Sequence, residues 1–237
     1  MKIGILQCDD VLEVLQPDFG NYPDMLQRMF RRIDPELEFE VWDVRTGAFP
    51  EAVDSCAAYV STGSRHGVTD GLAWVAELEA YIRLLDAERK TYLGVCFGHQ
   101  ALATALGGEV ERSPRGWGVG VTTSEVRERQ PWMEPFQAQL DLVASHQDQV
   151  SRLPDGVRVL AGSDFCPHYL VQRGDHFLGI QGHPEFSRDY SRALMLRRRG
   201  LIPDERIEEG LASLDRDVDD LRVARWLLNF MRGRKDT

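Results

Sequence analysis

With 237 residues, 43% of them hydrophobic, the chain is long enough to bury a core of its own without disulfide bonds. Its formal net charge of -10 argues against nucleic acid as a partner, because phosphate binding needs a basic face that the sequence does not offer. No uncharged apolar run approaches the length of a membrane span, and no segment resembles a secretory leader, so we expect no membrane partner.

The metal-ligating residue types give a second clue to the setting of the protein. There are four cysteines, Cys8, Cys56, Cys96 and Cys166. None stands in CxxC or another metal-ligand spacing, and His99, His146 and His183 lack a third ligand at a suitable spacing. The sequence also has no G-x-x-x-x-G-K-[ST] loop for a nucleotide. We therefore expect no metal, no cofactor and a reduced, cytoplasmic environment.

Strand and helix patterns alternate through the first hundred residues. Strands are predicted over 3–6, 39–44, 57–60 and 92–96, and helices are predicted from Pro23 onward and over 72–85. Continuously apolar strands separated by helices indicate a parallel sheet that is covered on both faces. The predicted fold class is therefore α/β, with a doubly wound, mainly parallel sheet and helices on both faces.

The second half of the chain changes character. From Gly118 to Ser145 strands follow one another without long helices, and runs at 157–160, 169–172 and 177–181 continue the pattern, which predicts a small antiparallel portion. After Gly182 helical spacing returns, with one apolar stripe formed by Ile207, Leu211, Leu214, Val218 and Leu221. We predict a catalytic domain over 1–190 and a helical extension over 191–237 packed on it. A subunit interface is the alternative interpretation of the stripe.

The sequence contains two clusters of arginines to which we assign no function. Arg31 and Arg32 form one, and Arg197, Arg198 and Arg199 form the other. Both lie in helix-like segments with acidic neighbours, which is typical of a solvated helix face.

The strongest local signal is GVCFGHQ at 94–100, a G-x-C-x-G turn between an apolar strand and a helix predicted over 100–106. Small residues on both sides of Cys96 allow a strained strand-to-helix corner that presents the thiol at the carboxyl edge of the sheet. The amino end of the helix favours a thiolate, and the N–H of Phe97 is placed to receive an oxyanion. These features predict that Cys96 is a nucleophile, with a buried structural cysteine as the alternative.

A base for this thiol is offered by QGHPE at 181–185, directly after an apolar strand. His183 and Glu185 are two residues apart, so in an extended segment their side chains lie on the same side. Pro184 pushes His183 toward an extended conformation, which should hold the two side chains adjacent. Glu185 would accept the far N–H of the imidazole, leaving the other nitrogen to take the thiol proton.

Together, GVCFGHQ and QGHPE resemble the class I glutamine amidotransferase family, most closely its stand-alone members that are similar to the glutaminase domain of GMP synthase. Further matching segments are STGS at 61–64, GWGVG at 116–120, SHQD at 145–148 and ARWLLNF at 224–230. The resemblance covers nearly the whole chain and implies the flavodoxin-like α/β fold of that family.

The resemblance implies a role for each motif residue. Cys96 is expected to attack the side-chain amide of glutamine, so that ammonia leaves and water hydrolyses the γ-glutamyl thioester. His183 is expected to serve both half-reactions, with Glu185 orienting it. The oxyanion hole of the family maps to the backbone N–H groups of Phe97 and Gly63.

The resemblance also implies substrate contacts. Gln100 matches the glutamine-contacting residue at the start of the helix, and Ser145, Gln147 and Asp148 belong to the segment that binds the α-amino and α-carboxylate groups. A surface-polar role is the alternative for Gln100 and Ser145. His146 is expected to brace this loop, and packing is expected for His99.

One loop departs from the family pattern. Many relatives have a proline and a serine before the valine, whereas this chain reads SRHGV at 64–68. Arg65 or His66 could therefore bind a carboxylate on a substrate larger than glutamine, and a solvated loop is an equal alternative.

Three functions are compatible with the sequence. The first is a glutaminase that supplies ammonia to a separate ATP-dependent synthetase subunit. The second is a self-sufficient γ-glutamyl peptidase or hydrolase that acts on a small γ-glutamyl molecule. The third is a non-hydrolytic redox-sensing or binding protein, which would leave His183 and Glu185 without a purpose.

Overall fold

The computed structural model describes residues 1–233. The strands are β1 (Lys2–Gln7), β2 (Glu38–Asp43), β3 (Ala58–Ser61), β4 (Thr91–Val95), β5 (Glu109–Arg112), β6 (Gly118–Val126), β7 (Gln139–His146), β8 (Asp148–Arg152), β9 (Val157–Gly162), β10 (Leu170–Arg173) and β11 (Phe177–Ile180). The helices are α1 (Gln16–Phe19), α2 (Tyr22–Arg31), α3 (Ala73–Ala87), α4 (Phe97–Ala105), α5 (Arg188–Arg197), α6 (Asp204–Ser213) and α7 (Asp220–Met231).

Nine strands form one mixed sheet in the order β2-β1-β3-β4-β11-β10-β9-β6-β7. The five strands from β2 to β11 pair in parallel, and the four strands from β10 to β7 extend the sheet with antiparallel pairs. β5 and β8 form a separate two-stranded sheet. The predicted α/β class with a mainly parallel sheet is confirmed, and its antiparallel part comprises four strands.

The parallel strands are covered on both faces, as their apolar sequences predict. Leu93 and Val95 of β4 pack with residues of α2 and α7, whereas Tyr92 packs with residues of α3 and α4. This alternation follows from the two-residue period of a strand. The carboxyl end of β4, where Cys96 lies, is therefore fixed between two helical layers.

α2 begins where its sequence supplies a cap. The side chain of Asn21 accepts the N–H of Asp24, and the carboxylate of Asp24 accepts the N–H of Asn21 at 2.8 Å, which together form a capping box. The same Asn21 oxygen accepts the N–H of Val11 at 2.9 Å. The cap thus joins the start of the helix to the loop that follows β1.

The carboxyl-terminal stripe predicted as one helical face is divided between two helices. Ile207 and Leu211 lie on α6, Leu214 follows its end, and Leu221 lies in the first turn of α7. The chain turns at Asp219, whose N–H donates to the carbonyl of Asp141 at 2.8 Å, and this bond anchors the connection to β7. α5 and α6 pack against β6 and β7, and α7 packs against α2 and β4.

The domain boundary predicted at residue 190 falls inside α5 and stays a prediction. Residues 234–237 of the predicted extension lie outside the described residues. Within the part of the chain that the structure describes, no helix is long and apolar enough to cross a membrane.

Candidate active site

Cys96 occupies a strained corner between β4 and α4. Its φ of 49° and ψ of -97° are uncommon for a residue other than glycine, and such strain persists only where the surrounding structure enforces it. Glycine is required on either side because the strands and the helix approach closely. A Cβ on Gly94 would lie 2.3 Å from the carbonyl oxygen of Gly98, and one on Gly98 would lie 1.9 Å from Oγ of Ser61. The local geometry is that of a nucleophile elbow.

The parallel pairing of β4 with β11 brings His183 to this corner. Val95 pairs with Ile180, and the N–H of Cys96 donates to the carbonyl of Ile180 at 2.8 Å, so the chain beyond β11 passes beside the thiol. The N–H of His183 then donates to the carbonyl of Val143 at 2.8 Å, which fixes its backbone against β7. Residues far apart in sequence meet because neighbouring parallel strands end at the same edge of the sheet.

Cys96, His183 and Glu185 form a continuous buried array. Nδ1 of His183 lies 2.8 Å from Oε1 of Glu185, and the two side chains are only 3% and 2% exposed. With Nδ1 engaged by the carboxylate, Nε2 is the nitrogen left to exchange a proton with Cys96. Burial alone would lower the pKa of His183, but the charges of Glu185 and Cys96 and their hydrogen bonds outweigh it and raise this pKa from 6.5 to about 10. The imidazole therefore holds a proton at neutral pH.

Aromatic packing fixes the plane of the imidazole. Phe186 stacks on His183 with the ring centroids 3.9 Å apart and the planes 9° apart, and Tyr22 stacks on Phe186 with the centroids 5.9 Å apart. The expectation of an extended 183–185 segment is wrong, because Pro184 and Glu185 form a turn closed by the N–H of Phe186 on the carbonyl of His183 at 3.3 Å. The fixed φ of Pro184 suits such a turn, and the turn still places the His183 and Glu185 side chains in contact.

Gly63 faces the reacting groups from the end of β3. A Cβ at this position would lie 3.0 Å from Cε1 of His183 and 3.8 Å from Cβ of Cys96, so a side chain would intrude on the array. The hydroxyl of Thr62 donates to the carbonyl of Gly63 at 2.9 Å and accepts the N–H of Cys8 at 2.9 Å, which holds this loop in place. Phe97 begins α4, so its N–H has no intrahelical acceptor. The oxyanion-hole assignment for Gly63 and Phe97 stays a prediction.

Gln181, for which the sequence predicts no role, contacts the nucleophile directly. Nε2 of Gln181 donates to Sγ of Cys96 at 3.5 Å, and its Oε1 accepts Nε2 of Gln100 at 3.2 Å. Gln100 also donates to the carbonyl of Asp148 at 2.8 Å. The predicted substrate residue Gln100 thus lines the cleft and connects the Asp148 segment to Cys96. The signal for Gln181 is its place in the motif, two residues before His183.

Two other histidines near the site remain neutral. Burial, aided by the charges of His168 and His146, lowers the pKa of His99 to about 3, and burial together with His183 lowers the pKa of His146 to about 4. His99 is fully buried, in line with the packing role expected for it. Nδ1 of His146 lies 3.2 Å from the carbonyl of Asp148 and braces the loop, as expected. Of these three imidazoles, His183 alone is suited to carry a proton at neutral pH.

Cys96 opens onto a cleft of about 820 Å³. The residues that line it include the expected substrate contacts Gln100, Ser145, Gln147 and Asp148. The Asp148 carboxylate lies near the loop after β3, where a Cβ on Gly67 would be 3.1 Å from Oδ2 of Asp148 and 3.1 Å from Oδ1 of Asp70. The carboxylates of Asp148 and Asp70 therefore both border the cleft beside Gly67.

An ion pair organises the loop after Gly63, the segment 64–68 that differs from the family pattern. Nε of Arg65 donates to Oδ2 of Asp9 at 2.8 Å, and its Nη2 donates to the carbonyl of Asp10 at 2.8 Å. His66 lies 3.8 Å from Asp70. The charge of Arg65 is therefore paired with Asp9, and the pair holds the loop against the end of β1. This favours a structural role for Arg65 over binding of a substrate carboxylate.

Sequence patterns alone do not identify one cation of the cleft, because they predict a solvated face for its whole cluster. Arg198 follows α5, and its Nη1 donates to Oγ of Ser145 at 2.8 Å while the guanidinium lies 5.8 Å from the ring of Trp117. Arg199 instead pairs with Asp204, and Arg197 is exposed. The position of the helix end, which sequence patterns define poorly, decides which of three consecutive arginines turns inward.

The model of the family described as "Glutamine amidotransferase class-I" matches residues 19–201. Gamma-glutamyl peptidase 3 of Arabidopsis thaliana is 30% identical over 193 residues, covering 77% of this chain and 75% of that protein. The glutamine-hydrolyzing GMP synthase of Aeropyrum pernix is 29% identical over 216 residues, covering 87% of this chain and 41% of the synthase. The crystal structure of a glutamine amidotransferase from Thermotoga maritima superimposes with a TM-score of 0.75 at 20% identity and covers 97% of this chain and 96% of its own.

Proposed function

The chain belongs to the class I glutamine amidotransferase family, and from that premise we propose that it cleaves a γ-glutamyl amide through a thioester on Cys96. The observation that carries the proposal is the buried pair of His183 and Glu185, 2.8 Å apart, beside a cysteine on a strained strand-to-helix corner. The family consists of enzymes of the glutaminase type, and this membership does not favour a non-hydrolytic redox or binding role.

The first half-reaction starts from the proton held on His183. The Cys96 thiolate attacks the γ-carbonyl carbon, and the carbonyl oxygen gains a negative charge that the N–H groups of Phe97 and Gly63 would stabilise. When the tetrahedral intermediate collapses, the C–N bond breaks and His183 gives its proton to the departing nitrogen. Ammonia or an amine leaves, and the γ-glutamyl group remains on the sulfur.

Acylation changes the basicity of His183 in the direction that the second half-reaction needs. The charge of Cys96 is one of the contributions that raise the pKa of His183, and a thioester carries no such charge. The pKa of His183 therefore falls in the acyl-enzyme, and the neutral imidazole takes a proton from water as the water attacks the thioester. The C–S bond then breaks, glutamate leaves, and Cys96 is released as a thiolate beside the protonated His183.

The volume of the cleft favours a second candidate for the leaving group. About 820 Å³ of space lies beside Cys96 and extends to Arg206 and Glu209 of α6, which is room for an amine larger than ammonia. The name of the Arabidopsis relative supports a γ-glutamyl peptide as substrate. Ammonia transfer to an ATP-dependent synthetase, supported by the likeness to GMP synthase, remains the first candidate.

Four free, buried cysteines support a reducing, cytoplasmic setting.

The test is glutamate release by the isolated protein from glutamine and from a panel of γ-glutamyl peptides. Cys96→Ala and His183→Ala are each expected to lower kcat by at least about 10³-fold, because neither half-reaction proceeds without its nucleophile or base. Cys56→Ala is the matched control, since it removes another buried thiol that does not line the cleft. Wild-type turnover in the Cys96 or His183 variant would reject the proposal. Faster turnover of peptides than of glutamine would select the peptidase.

A further inference from the structure

Arg198 has an environment unlike that of its neighbours. It is the residue that ends α5, and it is partly buried, whereas Arg197 and Arg199 are exposed. Its guanidinium is held by two uncharged groups, the hydroxyl of Ser145 at 2.8 Å and the ring of Trp117 at 5.8 Å. Both contacts fix the direction of the side chain and leave its charge uncompensated.

The other arginines of the cleft are mostly paired with acids. Arg65 contacts Asp9 at 2.8 Å, and Arg206 contacts Glu209 at 2.8 Å. Within residues 1–233, no carboxylate forms an ion pair with Arg198, although Glu205 and Glu209 of α6 line the same cleft. A partly buried guanidinium with unused donors favours an anion, and its planar fork matches a carboxylate.

Two groups of opposite charge line the cleft. Arg198 contacts Ser145 at 2.8 Å, and the carboxylates of Asp148 and Asp70 lie beside Gly67. One short segment, from the end of β7 to the start of β8, carries both Ser145 and Asp148 and so connects the two groups. Arg112, which is 76% exposed, is 3.9 Å from Asp148 and leaves that carboxylate largely uncompensated. A zwitterion with an ammonium and a carboxylate on one carbon fits this arrangement.

We infer that Arg198 binds the α-carboxylate of the γ-glutamyl group, with the hydroxyl of Ser145 holding the guanidinium in place. The inference rests on the proposed function, because it assigns a specificity residue to the same site. It is independent of the leaving group, since glutamine and γ-glutamyl peptides share this carboxylate. Arg198 is thus a substrate-binding residue directly after α5, outside the segments that carry the nucleophile and the base.

A contact with the α-carboxylate is distant from the reacting carbon and is made alike in the ground state and the transition state. Its loss should therefore raise KM and leave kcat nearly unchanged. A hydrogen-bonded charge pair of this kind corresponds to about a 10- to 100-fold change in affinity. The loss should also depend on the ligand having an α-carboxylate, which a merely structural role would not require.

The kinetic test compares glutamine with its α-carboxamide in the wild type, Arg198→Gln, Arg198→Lys and Arg197→Gln. The wild type should prefer the α-carboxylate by about 10- to 100-fold in kcat/KM, and Arg198→Gln should abolish the preference through KM. Arg198→Lys should restore part of it, because a cation without the fork remains. Arg197→Gln removes the same charge from the exposed neighbour and should change nothing. An equal loss on both compounds in Arg198→Gln, or no loss, would overturn the inference.

A binding measurement separates this inference from the proposed reaction. Calorimetry on the Cys96→Ala protein should show L-glutamate binding about 10- to 100-fold more tightly than L-isoglutamine, which differs only in its α-carboxamide, and adding Arg198→Gln should remove the difference. This result supports the inference even if no turnover is found. Equal binding of the two ligands, or binding of neither, contradicts it even if Cys96-dependent turnover is established.

Discussion

Replacing Glu185 with glutamine isolates the electrostatic part of the triad. The substitution keeps the size of a side chain that is 2% exposed and removes only the charge that faces Nδ1 of His183 at 2.8 Å. Burial favours the neutral imidazole, so the rise in the pKa of His183 to about 10 must come from Glu185 and Cys96 together. Without the carboxylate, the imidazolium loses one of its two sources of stabilisation.

The size of the effect follows from the contact. A buried hydrogen bond to a charged group contributes roughly 1.5–3 kcal/mol, which corresponds to about one to two pKa units. We therefore expect the pKa of His183 to fall by that amount in Glu185→Gln. The catalytic loss should be at least about 10²-fold in kcat/KM, because the amide also fails to enforce the tautomer with its proton on Nδ1.

The assay is an NMR titration of the His183 ring, together with kcat/KM for the preferred γ-glutamyl substrate. The wild-type ring should stay protonated until the pH approaches about 10, and the Glu185→Gln ring should lose its proton at a lower pH. An unchanged titration midpoint, or wild-type kcat/KM, would refute the electrostatic role of Glu185. Glu185→Asp is the companion variant, since it keeps the charge and should titrate closer to the wild type.

Three further substitutions test separate parts of the structure. Gln181→Leu removes the amide that donates to Sγ of Cys96 at 3.5 Å, and alkylation of this thiol by iodoacetamide at neutral pH should slow by about 10-fold. Gly63→Ala places a Cβ 3.0 Å from Cε1 of His183, so kcat should fall by about 10-fold or more while urea denaturation changes little. Asp86→Asn breaks the contacts with Arg173 at 2.9 and 3.0 Å, which should lower the free energy of unfolding at pH 7 by about 1–3 kcal/mol.

The Asp86 prediction also has a definite pH dependence. Although burial acts to raise the pKa of Asp86, the hydrogen bonds and charges of Arg173 and His176 outweigh it and lower this pKa from 3.8. A carboxylate with a lowered pKa stabilises the fold above its unfolded value, and this contribution is lost as the pH falls through the folded value. The wild type and Asp86→Asn should therefore converge in stability below about pH 4. A constant difference between pH 7 and pH 3 would contradict this assignment.

The Gln181 and Gly63 predictions have their own controls. Gln181→Glu keeps an oxygen that can accept from Gln100 but brings a negative charge to Cys96, so it should not restore the alkylation rate. The control for Gly63→Ala is Gly67→Ala, which adds a methyl group to the same loop but beside Asp148 instead of His183. Gly71 is a poor control because its φ is 72°. Alkylation of Gln181→Leu at the wild-type rate would show that the amide does not stabilise the thiolate.

The parallel half of the fold and the positions of Cys96 and His183 follow from sequence because their signals are local. Apolar strands and glycines around a cysteine each describe their own backbone, and the His-Pro-Glu spacing predicts adjacent side chains, although the segment is a turn and not extended as expected. The antiparallel extension is harder to predict, since a strand such as β10 has only four residues and its pairing depends on distant partners. The break in the carboxyl-terminal stripe has a similar origin, because it is set by the bond of Asp219 to β7.

Side-chain partners across the cleft are the least predictable feature. Gln181 was visible in its motif, but its contact with Cys96 depends on the register between β4 and β11. Arg198 was hidden in a run of three arginines, and only the end of α5 determines which of them reaches Ser145. Arg65 was a candidate for carboxylate binding until its partner Asp9, 56 residues away, could be seen. Long-range contacts of this kind leave no periodic trace in a sequence.

The most direct test of the account is acid quenching of the protein during turnover of a γ-glutamyl substrate, followed by peptide mass spectrometry. We predict a mass increase of one γ-glutamyl group on the peptide that contains Cys96, and its absence in Cys96→Ala. Turnover without any adduct on Cys96, or an adduct that persists on another residue in Cys96→Ala, would contradict the central claim.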